Sequence, residues 1–144
     1  MKSKIAIYPG SFDPLHKGHI QILKKALKLF DLIYLVVTNN PDKIEQSNLE
    51  TRLNFAKEQL KNLPNIIVIS NPNKLTGELA KELKANFLIR SARNITDFNY
   101  EIELAAGNKK INKNLETILI MPNYRSINYS STLIRHMKKL KQNV

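Results

Sequence analysis

The chain contains no cysteine, which rules out disulfides, thiolate-bound metals and a cysteine nucleophile together. It also lacks any apolar run near the roughly 20 residues of a membrane span. Its opening, MKSKIAIYPG, breaks after four apolar residues, too short for a signal-peptide core. The expectation is a soluble, unprocessed, cytoplasmic protein. Acidic residues are scarce: 12 face 23 basic ones, for a formal net charge of +11. That balance favours polyanionic partners such as nucleic acid, anionic lipid or phosphorylated small molecules. Only five of the basic residues are arginine, and lysine and asparagine run throughout, so the charge is either a general enrichment or a dedicated basic surface. The one dense cluster, HMKKLKQNV, fits a solvated helix end as well as an RNA contact.

What is present suits one domain. A chain of 144 residues, 42% hydrophobic, can build a real core, and a single domain over 1–144 with no linker or repeat is expected. IAIY reads as a strand ended by Pro9-Gly10, and Ile20, Leu23, Leu27 and Phe30 then recur at helical spacing. LIYLVV is a strand buried on both faces. Ser47 and Glu50 form a capping-box pattern before the stripe Leu49, Leu53, Ala56, Leu60 and Leu63. NIIVIS is a third strand, and Thr76 is placed to cap a short helix. NFLIR, TDFNYEIELAAGNKK, ETILIMP and SSTLIRHMKKLK continue the alternation. Five strand–helix repeats imply right-handed crossovers: an α/β, doubly wound, Rossmann-like fold with a parallel five-stranded sheet and helices on both faces. Ligands bind such sheets beyond the carboxyl ends of the strands.

The unusual polar residues fall at those ends. Ser11, His16 and His19 follow strand one, and TNNPDK with Lys43 follows strand two. RSAR with Arg90 and Arg93 follows strand four, and SINYSST follows strand five. A pocket rich in hydroxyls and cations suits phosphates. Gly10 allows a sharp turn and Gly18 offers no Cβ to obstruct a group nearing the helix start, whose unpaired N–H groups attract anions. His16 and His19 are three apart, so a helix beginning near Leu15 would aim both at one polyphosphate. As zinc ligands the pair lacks companions, and no metal site is assigned; His136 reads as a solvated histidine.

GSFDPLHKGH resembles the His-x-Gly-His signature of the nucleotidyltransferase superfamily, and YSSTLIR resembles its second, Ser-Ser-Thr-like motif. LIRSARNITDFNYEIELAAGNK is similar to the Arg-Gly-x-Arg, Asp-Phe-Glu-Tyr-Glu and Gln-Leu-Ala segments of the bacterial phosphopantetheine adenylyltransferases. The similarity runs colinearly from Ile5 to about Arg135. It implies transfer of AMP from ATP to 4′-phosphopantetheine, giving dephospho-coenzyme A and pyrophosphate by direct in-line attack. The nucleophile is itself an ionised phosphate, so no general base is needed.

By position, the resemblance makes His19 the catalytic group that stabilises the transition state, and Ser11 the hydroxyl touching both substrates. Phe12, His19, Ser91, Ala92, Arg93 and Glu101 match ATP-binding positions, as do Tyr129, Ser130, Ser131 and Thr132. Lys43, Thr76 and Arg90 match the acceptor side. Ser91 stands where the family usually has Gly, Thr76 where it has Met, Asn99 where it has Glu, Tyr129 where it has Ile, and the chain stops about one short helix earlier than typical members. Mg²⁺ is expected with ATP, no acidic cluster offering a protein-borne site. A homohexamer, built as a dimer of trimers, is implied, without nucleic-acid or membrane partners. Other readings keep the fold with nicotinate mononucleotide or an alcohol phosphate as acceptor, or CTP as donor, or make the domain a nucleic-acid binder.

Overall fold

The computed structural model describes residues 2–40, 46–123 and 131–142, the side chains of 131–135 and 142 excepted. Strands and helices alternate as β1 (Ile5–Gly10), α1 (Lys17–Ala26), β2 (Leu32–Thr38), α2 (Leu49–Leu60), β3 (Ile66–Asn71), α3 (Thr76–Glu82), β4 (Phe87–Arg90), α4 (Ile95–Ile111), β5 (Glu116–Leu119) and α5 (Ser131–Gln142). All strand pairs are parallel, in the order β3-β2-β1-β4-β5. The chain starts in the central strand, winds outward to β3 and returns to β4 on the other side. The order reverses between β1 and β4, where a crevice opens at the strand ends.

Side chains alternate across the sheet with period two. Ala6, Tyr8, Leu35, Val37 and Ile89 join one buried cluster with Ile22 and Leu23 of α1 and Leu53 and Ala56 of α2. Ile7, Val36 and Leu88 face the other way and pack with Leu79 and Ala80 of α3. Helices thus cover both faces, as expected.

Several boundaries differ from the sequence reading. β1 does not stop at Tyr8 but pairs with β2 through Pro9↔Val36 and Gly10↔Val37. A central strand tolerates Pro9 because β1 pairs with β4 only at Ala6 and Ile7, and the Pro9 carbonyl beyond them accepts a bond from Arg90 instead. The α2 cap is Asn48, whose side chain accepts from Glu50 N–H, while Ser47 N–H donates to Asp13. Thr76 does not cap α3: Leu75 holds the extended cap conformation, and Thr76 is already helical. β5 ends at Leu119, short of the ETILIMP run.

Candidate active site

The start of α1 is held by imidazoles. His16, in extended conformation, is the N-cap, and its Nδ1 accepts from Gly18 N–H at 3.0 Å. His19 reaches back so that its Nδ1 accepts from His16 N–H at 3.1 Å. Together they form a capping box built from two histidines rather than the usual hydroxyl and carboxyl. The rings stack with centroids 3.8 Å apart. α1 therefore begins at Lys17 rather than near Leu15, and the pair shares a cap instead of simply projecting in parallel. Gly18 has a specific reason to be glycine, because a Cβ there would lie 2.9 Å from His16 Cε1.

An acceptor at Nδ1 cannot carry the proton, so neutral His19 has its N–H at Nε2. Burial lowers the His19 pKa to about 4, and the nearby His16 and Arg93 add to the effect. At neutral pH the ring is an uncharged donor.

Phe12 supports this ring. Its backbone lies at φ 43°, a costly conformation for an aromatic residue and one that clusters at functional sites. The side chain is buried and meets Tyr8 edge-on at 5.3 Å and His19 edge-on at 4.9 Å. Gly10 makes room, since a Cβ there would sit 3.0 Å from Phe12 Cζ. Gly10 itself does not have positive φ, so it serves the ring and not the turn.

β4 delivers the cations. Arg90 is locked to Glu101 of α4: Nε donates to both carboxylate oxygens, at 3.1 and 2.8 Å, and Nη2 to Oε1 at 2.8 Å. Nη1 donates to Pro9 O at 2.9 Å. A second hydrogen on each terminal nitrogen is left over for a ligand. Burial works against the charge of Arg90, but the hydrogen bonds and charge of Glu101 outweigh it and raise its pKa above the ordinary value. Tyr8, mainly through burial, is pushed up to about 12 despite the lowering influence of Arg90; it is a phenol, never a phenolate, at working pH. Arg93 is looser. Its Nε is 3.4 Å from Asp97 Oδ2, and its side chain is 68% exposed.

These groups meet in a cavity of about 820 Å³ at the β1/β4 crevice. Ser11, Phe12 and His19 line one side, and Arg90, Ser91, Arg93 and Glu101 the other. Seven of the residues that the resemblance assigns to catalysis, ATP or the acceptor thus share one space, together with His16, Gly10 and Gly18. Ala92 is buried and does not line it, nor does Thr76. Lys43, Tyr129 and Ser130 lie outside the described residues. Ser131 and Thr132 open α5, and their side chains lie outside the description too. Tyr8, Asp97 and Tyr100 also line the cavity and were not anticipated. Asp97, four residues after Arg93 at a helix start, was detectable by its spacing, whereas Tyr8 reads in sequence as an ordinary core residue.

A parallel sheet with a cationic, hydroxyl-bearing cavity and a neutral imidazole donor at its switch point defines a nucleotidyltransferase-like domain. Residues 7–137 match the cytidylyltransferase-like family, and the chain belongs to it. Within that family it is 45% identical to the phosphopantetheine adenylyltransferase of Mycoplasma capricolum, over 96% of this chain and 99% of the relative. It is 39% identical to the enzyme of that name from Lactobacillus acidophilus, over 97% and 87%. The resemblance drawn from the motifs to the phosphopantetheine adenylyltransferases therefore holds over nearly the whole chain. Among solved structures, a lipopolysaccharide core biosynthesis protein from Thermoplasma volcanium has the same fold (TM-score 0.61, 22% identity, 90% of this chain and 100% of that one). So does a pantoate-beta-alanine ligase from Francisella tularensis (TM-score 0.56, 19% identity, 97% and 70%).

Proposed function

We propose that the chain transfers AMP from ATP to 4′-phosphopantetheine, releasing pyrophosphate and forming dephospho-coenzyme A. The observation that carries the reading is the His16–His19 cap, which leaves an uncharged Nε2–H donor beside two arginines in one cavity. An oxygen of the acceptor phosphate attacks the α-phosphorus of ATP. A new P–O bond forms there as the bond to the β-phosphate bridge breaks, and pyrophosphate leaves with the electron pair. His19 donates to the α-phosphoryl oxygens as their charge grows, and Ser11 contacts both reactants. A fixed donor of this kind needs no reorganisation during the reaction, and holding the reactants in line supplies much of the remaining rate.

Arg90, fixed by Glu101, presents its remaining hydrogens to the acceptor phosphate as a rigid fork. Arg93, weakly held, turns from Asp97 to the ATP phosphates, which Phe12 and Ser91 also serve from the cavity wall; buried Ala92 serves ATP only by holding Ser91 and Arg93 on either side of it. In this reading Glu101 serves ATP indirectly, by fixing the cationic wall, because both its oxygens are occupied by Arg90. Lys43 serves the acceptor, and Tyr129, Ser130, Ser131 and Thr132 the triphosphate; Thr76, which does not line the cavity, meets the acceptor only where its pantetheine arm extends beyond it.

The described residues do not build a cage for Mg²⁺: no three His, Cys, Asp or Glu side chains gather among them, and of the three carboxylates that line the cavity Asp97 and Glu101 face arginines while Asp13 accepts from Ser47 N–H. We assign the ion to the magnesium–ATP substrate, whose phosphates would hold it.

The same reading makes the protein a cytoplasmic homohexamer of two trimers without nucleic-acid or membrane partners. Among the described residues no helix is long and apolar enough to cross a membrane. Ile95 (77% exposed), Phe98 and Ile102 stand along one side of α4, an apolar strip that supports burial against other copies. Native mass spectrometry tests the assembly. The reaction is tested by incubating the chain with magnesium–ATP and each acceptor in turn. A dephospho-coenzyme A mass from 4′-phosphopantetheine supports the proposal. Pyrophosphate release only with nicotinate mononucleotide, or with no acceptor at all, rejects it.

A further inference from the structure

Arg52 lies on the apolar stripe of α2, one position before Leu53, and is only 3% exposed. It does not line the cavity. Its guanidinium is spent on neutral oxygens: Nε donates to Ser47 O at 2.8 Å, Nη1 to Ser11 O and Thr38 O at 2.7 Å each, and Nη2 to Asn39 Oδ1 at 2.7 Å. One side chain therefore ties together the segments following β1 and β2 and the lead-in to α2. In the β2–α2 connection, the Gln46 side-chain amide bonds the Asn40 main chain reciprocally, accepting from its N–H and donating to its carbonyl at 3.2 Å each.

The bond to Ser11 O has a consequence for the site. That carbonyl belongs to the peptide plane joining Ser11 to Phe12, the plane against which the φ of Phe12 is measured. Phe12 sits at φ 43°, where an aromatic residue does not rest unless its surroundings hold it. On one side its ring is trapped between Tyr8 and His19. On the other its peptide plane is gripped by Arg52. If the grip loosens, the plane is released to rotate towards negative φ, which swings the Phe12 ring from His19 and shifts the Ser11 hydroxyl at the cavity.

We propose that Arg52 is a positioning residue for the transfer reaction: through the Ser11 carbonyl it holds the strained Ser11–Phe12 peptide, and through the Phe12 ring it sets the place of His19. The catalytic part of this claim rests on the function proposed above. A geometric displacement of this kind is enough to slow a positioned reaction by on the order of tenfold to a hundredfold.

The test uses the full chain with Arg52→Lys and Arg52→Gln. Lys keeps the charge without the fork, and Gln keeps a single planar donor group. Thermal melts establish which variants fold. In a folded variant we expect kcat to fall on the order of tenfold or more while KM for ATP moves less than about threefold. The NMR signals of the His19 imidazole should also shift as the Phe12 ring leaves it, with those of exposed His136 unmoved. A merely structural arginine would change the melting temperature and leave the His19 signals and kcat in place, and that result overturns the proposal. Should neither variant fold, Asn39→Ala, which releases Nη2 alone, is read in the same way: a smaller shift of the His19 signals supports the claim and unmoved signals overturn it. The NMR arm needs no turnover. A native chain inactive towards 4′-phosphopantetheine would thus defeat the proposed function, while the role of Arg52 in placing His19 would still be decided by the spectra.

Discussion

The main-chain N–H of His16 donates to Nδ1 of His19 at 3.1 Å, and this single bond decides which nitrogen of the second imidazole carries its proton. The helix cap and the proposed transition-state donor are one structure. To protonate His19 fully, the cap bond must break.

Burial keeps the same ring uncharged. Its folded-state pKa of about 4 lies below the ordinary 6.5, with burial the main cause. Between those values the unfolded chain binds a proton that the folded chain does not. The stability contributed by neutral His19 is complete above pH 6.5, declines as pH falls towards 4, and falls no further below that. NMR titration should place the His19 midpoint near 4. The pH profile of kcat should show no His19 step near 6.5; the second ionisation of the acceptor phosphate itself gives an acid limb near about pH 6. A His19 midpoint at 6 or above contradicts a buried, neutral His19, and ring-nitrogen shifts showing the proton on Nδ1 contradict the cap-derived tautomer.

Replacing His19 by Ala removes the donor and half of the cap. Turnover should drop on the order of a hundredfold or more, with a loss of about 1 kcal/mol in folding free energy from the cap. Steady-state kinetics and urea unfolding measure the two separately. A folded variant with native turnover would exclude His19 from the chemistry.

Glu101→Gln leaves the Arg90 guanidinium without its carboxylate. Glu101 is 4% exposed, and breaking such a pair is strongly destabilising, by about 3 kcal/mol at the low end appropriate to a partner facing a cavity. The unclamped Arg90 should also raise KM for 4′-phosphopantetheine more than KM for ATP. Equal effects on the two KM values would mean that Arg90 does not serve the acceptor.

Gly18→Ala introduces a methyl 2.9 Å from His16 Cε1. The His16 ring must move, which breaks its bond to residue 18 and disturbs its stack with His19. The expected outcome is a folded chain with about 1 kcal/mol less stability and displaced imidazole signals for both histidines. Signals identical to the native ones would show that the cap tolerates a side chain at 18.

The fold was legible because its information is local. β-branched runs such as LIYLVV and amphipathic stripes such as Leu49–Leu53–Ala56–Leu60 fix element type, and their alternation fixes a parallel sheet. The position of the site was legible because strand ends can be counted along the chain, which brought Ser11, His19, Arg90 and Arg93 to one crevice. Long-range pairing was not legible. Arg90 and Glu101 are eleven residues apart, and only the docking of α4 over β4 makes them partners. His16 and His19 at i, i+3 fit two parallel ligands as well as a cap, until the extended conformation of His16 chooses the cap. The same holds for Thr76, displaced as cap by the backbone of Leu75. Arg52 did leave a trace, as a charge set in an apolar stripe, but its four acceptors come from segments that meet only in the folded chain.

The most direct measurement is a crystal structure with a non-hydrolysable ATP analogue and 4′-phosphopantetheine bound together. The account predicts His19 Nε2 about 3 Å from an α-phosphoryl oxygen, with the acceptor phosphate on Arg90 and in line with the bond to be broken. Both ligands bound with His19 Nε2 pointing away from the α-phosphate, or a triphosphate seated away from the β1/β4 crevice, would contradict it.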